Sequence, residues 1–277
     1  MCEAWWCGTV SIRPLSCSAV LAALTAAAMP AHAAERPAAC RVAAGVVATV
    51  AAVTDERTLR LADGTELRLA GLEGLSDAGD AASAGTVAIR AKAELQRLAL
   101  GKAVAVESLG EDRYGRRIAL LALTGDPGGP SLQERLIARG EALVAARIGL
   151  PGCASRFLDA ERGARAARLG LWADPHYLIR EAGRPDVLTA AYGRFALVEG
   201  KVLSVNDRGA TVYVNFGRRW SEDFTVTIAK RNVRNFTAAG LDPQALAGRR
   251  VRIRGWVGER GGPWIEALRP EQIEFVH

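Results

Sequence analysis

The chain has 277 residues and a mass of 29.4 kDa, enough for one large domain or for two small domains with their own cores. Hydrophobic residues make up 49% and charged residues 24%, an ordinary globular composition that argues against long disordered segments. With 3 histidines in the whole sequence, a site built from several histidines is close to excluded. The formal charge of +6 and the pI of about 9.4 favour anionic partners.

Residues 1–33 have the pattern of a secretory signal. Arg13 supplies positive charge near the start, residues 18–29 form an apolar run, and residues 31–33 read Ala-His-Ala, a small-x-small cleavage site. Because the apolar run is too short to cross a bilayer, we expect a periplasmic or secreted protein with no membrane span after cleavage.

The chain that follows the signal keeps two cysteines, Cys40 and Cys153. An even number of cysteines in a compartment that permits oxidation suggests a disulfide. We therefore hypothesise a Cys40–Cys153 bridge that ties the new N-terminus to a helix near residue 155. Two unrelated buried thiols are the alternative.

The remaining sequence divides into two blocks, 41–173 and 194–277, joined by a polar linker over 174–193. The first block begins with alternating leucines on either side of Asp63-Gly64, a hairpin signature. The next predicted elements are a helix near 86–100, strands at 102–108 and 117–123, a helix that starts at the capping box of Ser131 and Glu134 and stops at Gly140, and a helix over 154–169. This order predicts an α+β fold with a small barrel.

The second block is rich in predicted strands, with one short helix over about 231–239. Five or so strands around one helix favour a second small barrel of the oligonucleotide/oligosaccharide-binding type.

Several short stretches of the first block together carry a family pattern. They are Asp55-Glu56-Arg57-Thr58-Leu59-Arg60-Leu61, Leu67-Arg68-Leu69-Ala70-Gly71-Leu72-Glu73, Asp112-Arg113-Tyr114-Gly115-Arg116, Ser131-Leu132-Gln133-Glu134 and Arg168-Leu169-Gly170-Leu171-Trp172. In this order and spacing, residues 46–173 resemble the thermonuclease (staphylococcal nuclease-like) family. The resemblance implies a five-stranded barrel of the oligonucleotide-binding type with three helices. It also implies phosphodiester hydrolysis with a calcium ion held by two aspartates, a glutamate general base and two arginines on the phosphodiester.

Both arginine positions of that pattern are present, as Arg68 and Arg116. Without the resemblance, Arg68 would be interpreted as a solvent-facing strand residue and Arg116 as a turn residue. The resemblance assigns both to phosphate contact, for which the planar guanidinium is suited because it can hold two oxygens at once.

The metal positions depart from the family pattern. Where the family has Asp-Gly-Asp-Thr, this chain has Asp55-Glu56-Arg57-Thr58, so Arg57 replaces a metal-binding aspartate. The candidate metal ligands that remain are Glu73, at the other ligand position, and Asp55. Because calcium is bound by oxygen atoms, we expect no cofactor here, and calcium only if the site is rebuilt around other carboxylates.

The general-base position departs as well, since it is occupied by Ser76. A serine near neutral pH does not accept a proton as a carboxylate does. Asp77 or Asp80 could substitute through a shift of the loop.

Arg57 has two interpretations. It could join Arg68 and Arg116, so that three guanidinium groups hold a phosphate without metal. Alternatively, it could pair with Asp55 or Glu73 and close the site.

In the second block, alternation along residues 251–257 places Arg252, Arg254 and Trp256 opposite the apolar side chains. Tyr213 is placed likewise on another strand. Basic residues among exposed aromatics suit single-stranded nucleic acid, although the same residues could pack under loops or cover apolar surface.

Three functions follow from these patterns. The favoured one is an exported thermonuclease-like protein that binds nucleic acid or another phosphate polyanion and cleaves it weakly or not at all. The alternatives are an active phosphodiesterase for DNA or RNA with a rearranged base and metal site, and an envelope interaction protein with structural arginines. The sequence does not specify an oligomeric state.

Overall fold

The computed structural model of the chain describes residues 40–42, 45–75, 78, 81–219 and 221–276. The predicted signal at residues 1–33 lies outside the described residues. Within them, no helix is both long and apolar enough to cross a membrane.

The first half combines seven strands with three α-helices. These are β1 (Val46–Asp55), β2 (Thr58–Leu61), β3 (Glu66–Leu69), β4 (Leu72–Glu73), α1 (Ala81–Ala99), β5 (Ala103–Glu111), β6 (Arg117–Leu123), α2 (Leu132–Ala138), β7 (Leu143–Val144) and α3 (Pro151–Ala166). Five strands close into a barrel in the order β1-β2-β3-β6-β5, with β3 and β6 parallel. The short strands β4 and β7 pair separately, antiparallel.

The barrel follows from the alternation in the sequence. Leu59, Leu67 and Leu69 are almost completely buried inside it, and the turn between β2 and β3 is closed by Gly64 at a φ of +87°, a conformation that glycine adopts without strain. Helix α2 begins at Ser131, whose hydroxyl accepts a hydrogen bond from the backbone of the third helical residue. The predicted α+β class and hairpin are therefore confirmed.

The second half consists of nine short strands and two short helices. These are β8 (Arg180–Glu181), α4 (Pro185–Thr189), β9 (Phe195–Lys201), β10 (Ser204–Arg208), β11 (Thr211–Asn215), β12 (Thr225–Ala229), α5 (Lys230–Ala238), β13 (Arg250–Trp256), β14 (Gly258–Arg260), β15 (Gly262–Glu266) and β16 (Ile273–Phe275). They form two sheets, β10-β11-β12-β15-β14 and β16-β13-β9-β8, whose apolar faces share one core.

The predicted second barrel is therefore two sheets in this structure. The alternation of short strands indicates which side chains are buried, but it does not fix which strand pairs with which. The segment predicted as a linker contains β8 and α4, and β8 pairs with β9 as the edge of a sheet.

The two halves belong to one compact unit. Leu75, Leu143 and Trp172 of the first half pack in one buried cluster with Phe195 and Leu197 of β9. The predicted Cys40–Cys153 disulfide is present and ties the segment before β1 to α3.

A buried ion network also joins the halves. Arg254 of β13 is completely buried and donates to Glu161 of α3 (2.6 Å), to Glu274 of β16 (2.6 Å) and to the carbonyl oxygen of Val144 in β7 (3.0 Å). Glu161 in turn accepts from the Val144 backbone N–H at 2.9 Å. Burial alone would lower the pKa of Arg254, but the two carboxylates raise it above its ordinary value. We call these four residues the Arg254 network.

Replacing Arg254 should destabilise the protein strongly. Arg254→Met removes the nearest cation of Glu161 and Glu274 and leaves each with one more distant arginine, Arg165 at 3.5 Å and Arg252 at 4.0 Å. Breaking a buried pair typically costs about 3–5 kcal/mol. The matched control is Arg250→Met on the same strand, where an exposed arginine pairs with Glu199 and the expected loss is about 1 kcal/mol or less. Urea unfolding measures both variants, and equal losses would contradict a supporting role for the network.

Candidate functional site

Three short elements at one edge of the barrel carry Arg57, Arg68 and Glu73. Arg57 lies in the tight turn between β1 and β2, and its backbone N–H donates to Asp55 Oδ1 at 2.9 Å, which fixes the turn. The carbonyl oxygen of Arg57 accepts from Leu69 N at 2.8 Å, so this turn is held against β3, which carries Arg68. Glu73 ends β4.

The turn between β5 and β6 brings Arg116 to the same place. Asp112 accepts from the backbone N–H groups of Tyr114 (2.9 Å) and Arg116 (3.1 Å) through Oδ1. Its Oδ2 accepts from the Arg116 guanidinium at 2.8 Å and lies 3.7 Å from Arg68 Nη1. The two predicted phosphate-contacting arginines therefore converge on one carboxylate. Sequence reasoning assigned no role to Asp112, although an aspartate that opens a turn is a recognisable signal.

Tyr114 stands on the solvent side of this turn. Its ring is 66% exposed, and the Arg116 guanidinium carbon lies 5.3 Å from the ring centroid. This distance is within the range of a cation–π contact, so the ring restricts where the guanidinium of Arg116 lies.

The charges of Arg57 and Arg116 act on the guanidinium group of Arg68. Burial lowers the pKa of Arg68, and the positive charges of Arg57 and Arg116 lower it further, while Asp112 and Glu73 partly offset them. A partly buried cluster of like charges is a place where a bound anion is favourable.

The carboxyl group of Asp112 stays ionised in this field. Burial raises its pKa, but the N–H groups of Tyr114 and Arg116 and the Arg116 guanidinium outweigh that effect and bring the pKa below its ordinary value. Asp112 is thus a fixed negative charge that holds two arginines in position.

Arg57 is an ion-pair partner as well as a member of the cluster. Its Nη1 lies 3.5 Å from Glu73 Oε1 and its Nε lies 3.8 Å from Glu56 Oε1. Both interpretations of this residue thus describe part of the geometry, because Arg57 pairs with Glu73 and also adds positive charge beside Arg68.

The carboxylates that the structure describes at this edge already have other partners. A calcium ion takes six to eight oxygen ligands, whereas Asp55 caps a backbone N–H and Glu73 faces a guanidinium and accepts from Gly74 N. Within the described ranges, no three His, Cys, Asp or Glu side chains are grouped so that they could hold a metal ion.

The remaining candidates of the first block, Ser76 and Asp77, lie outside the described residues, as does Asp80. Their assignment as the altered general-base position and as substitute bases stays a prediction.

The prediction that Arg254 contacts nucleic acid is wrong. The alternation on β13 is as expected, with Val251 and Ile253 in the core, but the opposite face is covered by Glu161 and Glu274, which bury Arg254 completely.

The other candidates of the second block are dispersed. Arg252 is 13% exposed and pairs with Glu199 at 2.7 Å, and Tyr213 belongs to the other sheet. Trp256 is 46% exposed, so of the three residues expected on that face of β13 it is the one at the surface.

Comparison with known families agrees with this geometry. Residues 67–174 match the family model described as staphylococcal nuclease homologue. This part of the chain is similar to the staphylococcal nuclease family. The match covers β3 to the end of the first half and includes Arg68, Glu73 and Arg116, so the expected resemblance is confirmed there. No curated protein matches the chain.

Removing the charge of Asp112 should destabilise the protein in a pH-dependent way. A carboxyl group whose pKa is lowered by folding contributes stability above its unfolded pKa of about 3.9 and loses that contribution as pH falls through the folded value. Asp112→Asn should therefore be less stable than the unmodified protein at pH 7, and the difference should shrink in acid. Unfolding at pH 7 and at about pH 3 tests this, with exposed Asp159→Asn on α3 as the control. A difference that grows in acid would contradict the expectation.

Proposed function

We propose that this chain is an exported nuclease-like protein that binds nucleic acid or another phosphate polyanion and cleaves it weakly or not at all. The observation that carries the proposal is the position of Arg57. Its guanidinium lies 3.5 Å from Glu73, a carboxylate that the family resemblance assigns to metal binding, and it adds positive charge beside Arg68.

Binding follows from the arrangement of charges. Arg57, Arg68 and Arg116 are all partly exposed, with 15%, 27% and 22% of their side-chain surface accessible. Planar guanidinium groups in fixed positions suit the oxygens of a phosphodiester. The overall charge of +6 adds a long-range attraction for the same class of ligand.

Weak cleavage follows from the state of the carboxylates. Hydrolysis of a phosphodiester needs stabilisation of the added negative charge, which the arginines supply, and a base to activate water. Asp55, Glu73 and Asp112 are each occupied by backbone N–H groups or by arginines. A missing general base alone lowers a rate by about 10²–10⁴-fold.

Export is part of the proposal. The signal-like residues 1–33 and the Cys40–Cys153 disulfide both support an oxidising compartment outside the cytoplasm, where such bonds persist.

The first test compares binding and cleavage with Arg116→Ala. We expect weak cleavage or none of single-stranded DNA or RNA, with calcium or with chelator, and binding that weakens steeply as salt rises. Arg116→Ala should weaken binding about tenfold or more, because hydrogen bonds to charged groups contribute roughly 1.5–3 kcal/mol, and should reduce the salt slope by about 1.

The control is Arg60→Ala, an exposed arginine on β2, which should leave binding nearly unchanged. Metal-dependent cleavage that disappears in Arg116→Ala would establish the rebuilt phosphodiesterase instead. Absence of both binding and cleavage would favour the envelope interaction protein.

A second test restores a carboxylate at position 57. Titration calorimetry should show no calcium binding to the unmodified protein, whereas Arg57→Asp places a carboxylate between Asp55 and Glu73 and should bind calcium. The same variant should bind a phosphate polymer more weakly in chelator, since a cation is replaced by an anion. Tight calcium binding by the unmodified protein would overturn the proposal.

A further inference from the structure

A cleft of about 330 Å³ opens between the strands of the second half and the segment that follows β7. Two tryptophans line it, Trp256 at the end of β13 and Trp264 on β15, together with Arg147 of the first half. The two halves thus contribute jointly to one surface that contains none of the three arginines of the candidate site.

The indoles of the cleft are held in place by their neighbours. The ring of Phe195 meets that of Trp256 edge-on, with the centroids 6.5 Å apart. Gly258 pairs with Trp264 across β14 and β15, and a Cβ atom at Gly258 would lie 2.7 Å from Trp264 Nε1. The absence of a side chain at Gly258 therefore lets the Trp264 ring lie close against the neighbouring strand.

Positive charge borders the two indoles. The guanidinium carbon of Arg260 lies 5.6 Å from the centroid of the Trp264 ring. Arg147 is exposed and makes no hydrogen bond or salt bridge to any residue that the structure describes. A ligand in this cleft would therefore meet apolar ring faces, the cation of Arg147 and, on one side, the exposed carboxylate of Glu266.

The amide that lines the cleft is not available to a ligand. Gln272 Oε1 accepts from the backbone N–H groups of Leu268 (2.7 Å) and Arg269 (3.1 Å), and its Nε2 donates to the carbonyl oxygens of Arg254 and Glu266, both at 3.1 Å. With this amide satisfied, the cleft favours stacking of a flat ring over recognition of many hydroxyl groups.

The cleft is close along the chain to the candidate site. Leu143 of β7 pairs with Glu73 of β4, and Arg147 follows Leu143 by four residues, a path of no more than about 14 Å in extended chain. The backbone positions of Glu73 and Arg147 are therefore no more than about 20 Å apart.

We propose that the cleft of Trp256 and Trp264 binds unpaired bases of a single-stranded nucleic acid. This inference rests on the proposed function, since the phosphates of the same strand would occupy the arginine cluster. Every base has a flat face that stacks on an indole, and those faces are available in a single strand but are covered by neighbouring bases in a duplex. Arg147 and Arg260 would contact the phosphates beside the stacked bases.

The test separates bases from phosphates by using two polymers. Affinities of the purified protein are measured for a single-stranded oligothymidylate and for inorganic polyphosphate, which has no bases. Trp256→Ala should weaken oligothymidylate binding about tenfold, because stacking of one base contributes on that order, and should leave polyphosphate binding unchanged. Trp256→Phe should recover part of the loss.

Phe275→Ala is the matched control, because Phe275 is also an exposed aromatic residue with an arginine over its ring (Arg249, 4.9 Å) but does not line the cleft. It should leave both affinities unchanged. A duplex of the same sequence should bind more weakly than the single strand and should be insensitive to Trp256→Ala.

The outcomes separate the two proposals. Trp256→Ala with no effect on oligothymidylate, or with equal effects on both polymers, would overturn base stacking in the cleft. Competition by a neutral oligosaccharide would overturn it in favour of a glycan site. Arg116→Ala without effect on either polymer would instead overturn the proposed phosphate site, while a selective effect of Trp256→Ala would still support the cleft.

Discussion

The contact between the two described halves is built around one buried arginine. Arg254 is completely buried in the second half, yet its partners Glu161 and Val144 belong to the first half. A buried guanidinium is tolerated only with its carboxylates and carbonyl oxygens in place. The two halves therefore satisfy each other's buried charges, and we expect neither to be stable in this form without the other.

The same network reaches the candidate site through a short path. Val144 both donates to Glu161 and accepts from Arg254, so the position of β7 is fixed from the core. β7 pairs with β4, which ends at Glu73, and Glu73 is the ion-pair partner of Arg57. The second half thus supports the strand that presents one carboxylate of the site, although it contributes none of the three arginines.

The candidate site keeps the cations of the nuclease pattern and changes the surroundings of its carboxylates. Arg68 and Arg116 share Asp112, whose ionised state is maintained by hydrogen bonds and by positive charge. At position 57 the resemblance implies a metal-binding aspartate. This chain has Arg57 there instead, and its guanidinium pairs with Glu73. This arrangement of donors is the basis of the proposal that the site holds a phosphate and cleaves it weakly or not at all.

The sequence by itself determined the local features of this protein. These features are properties of residues that are neighbours in the sequence, so short-range geometry specifies them. They are the alternation of leucines around Gly64, the cap at Ser131, the matching motifs at Arg68 and Arg116 and the charge change at Arg57. Tertiary structure alone decided that Arg254 is buried. Alternation along β13 places Arg254 on the sheet face opposite the apolar core, but it does not show which elements pack against that opposite face. Contacts between elements distant in the sequence, which no local pattern encodes, likewise decided three further features. They are the pairing of Asp112 with Arg68, the division of the second half into two sheets and the cleft of Trp256 and Trp264.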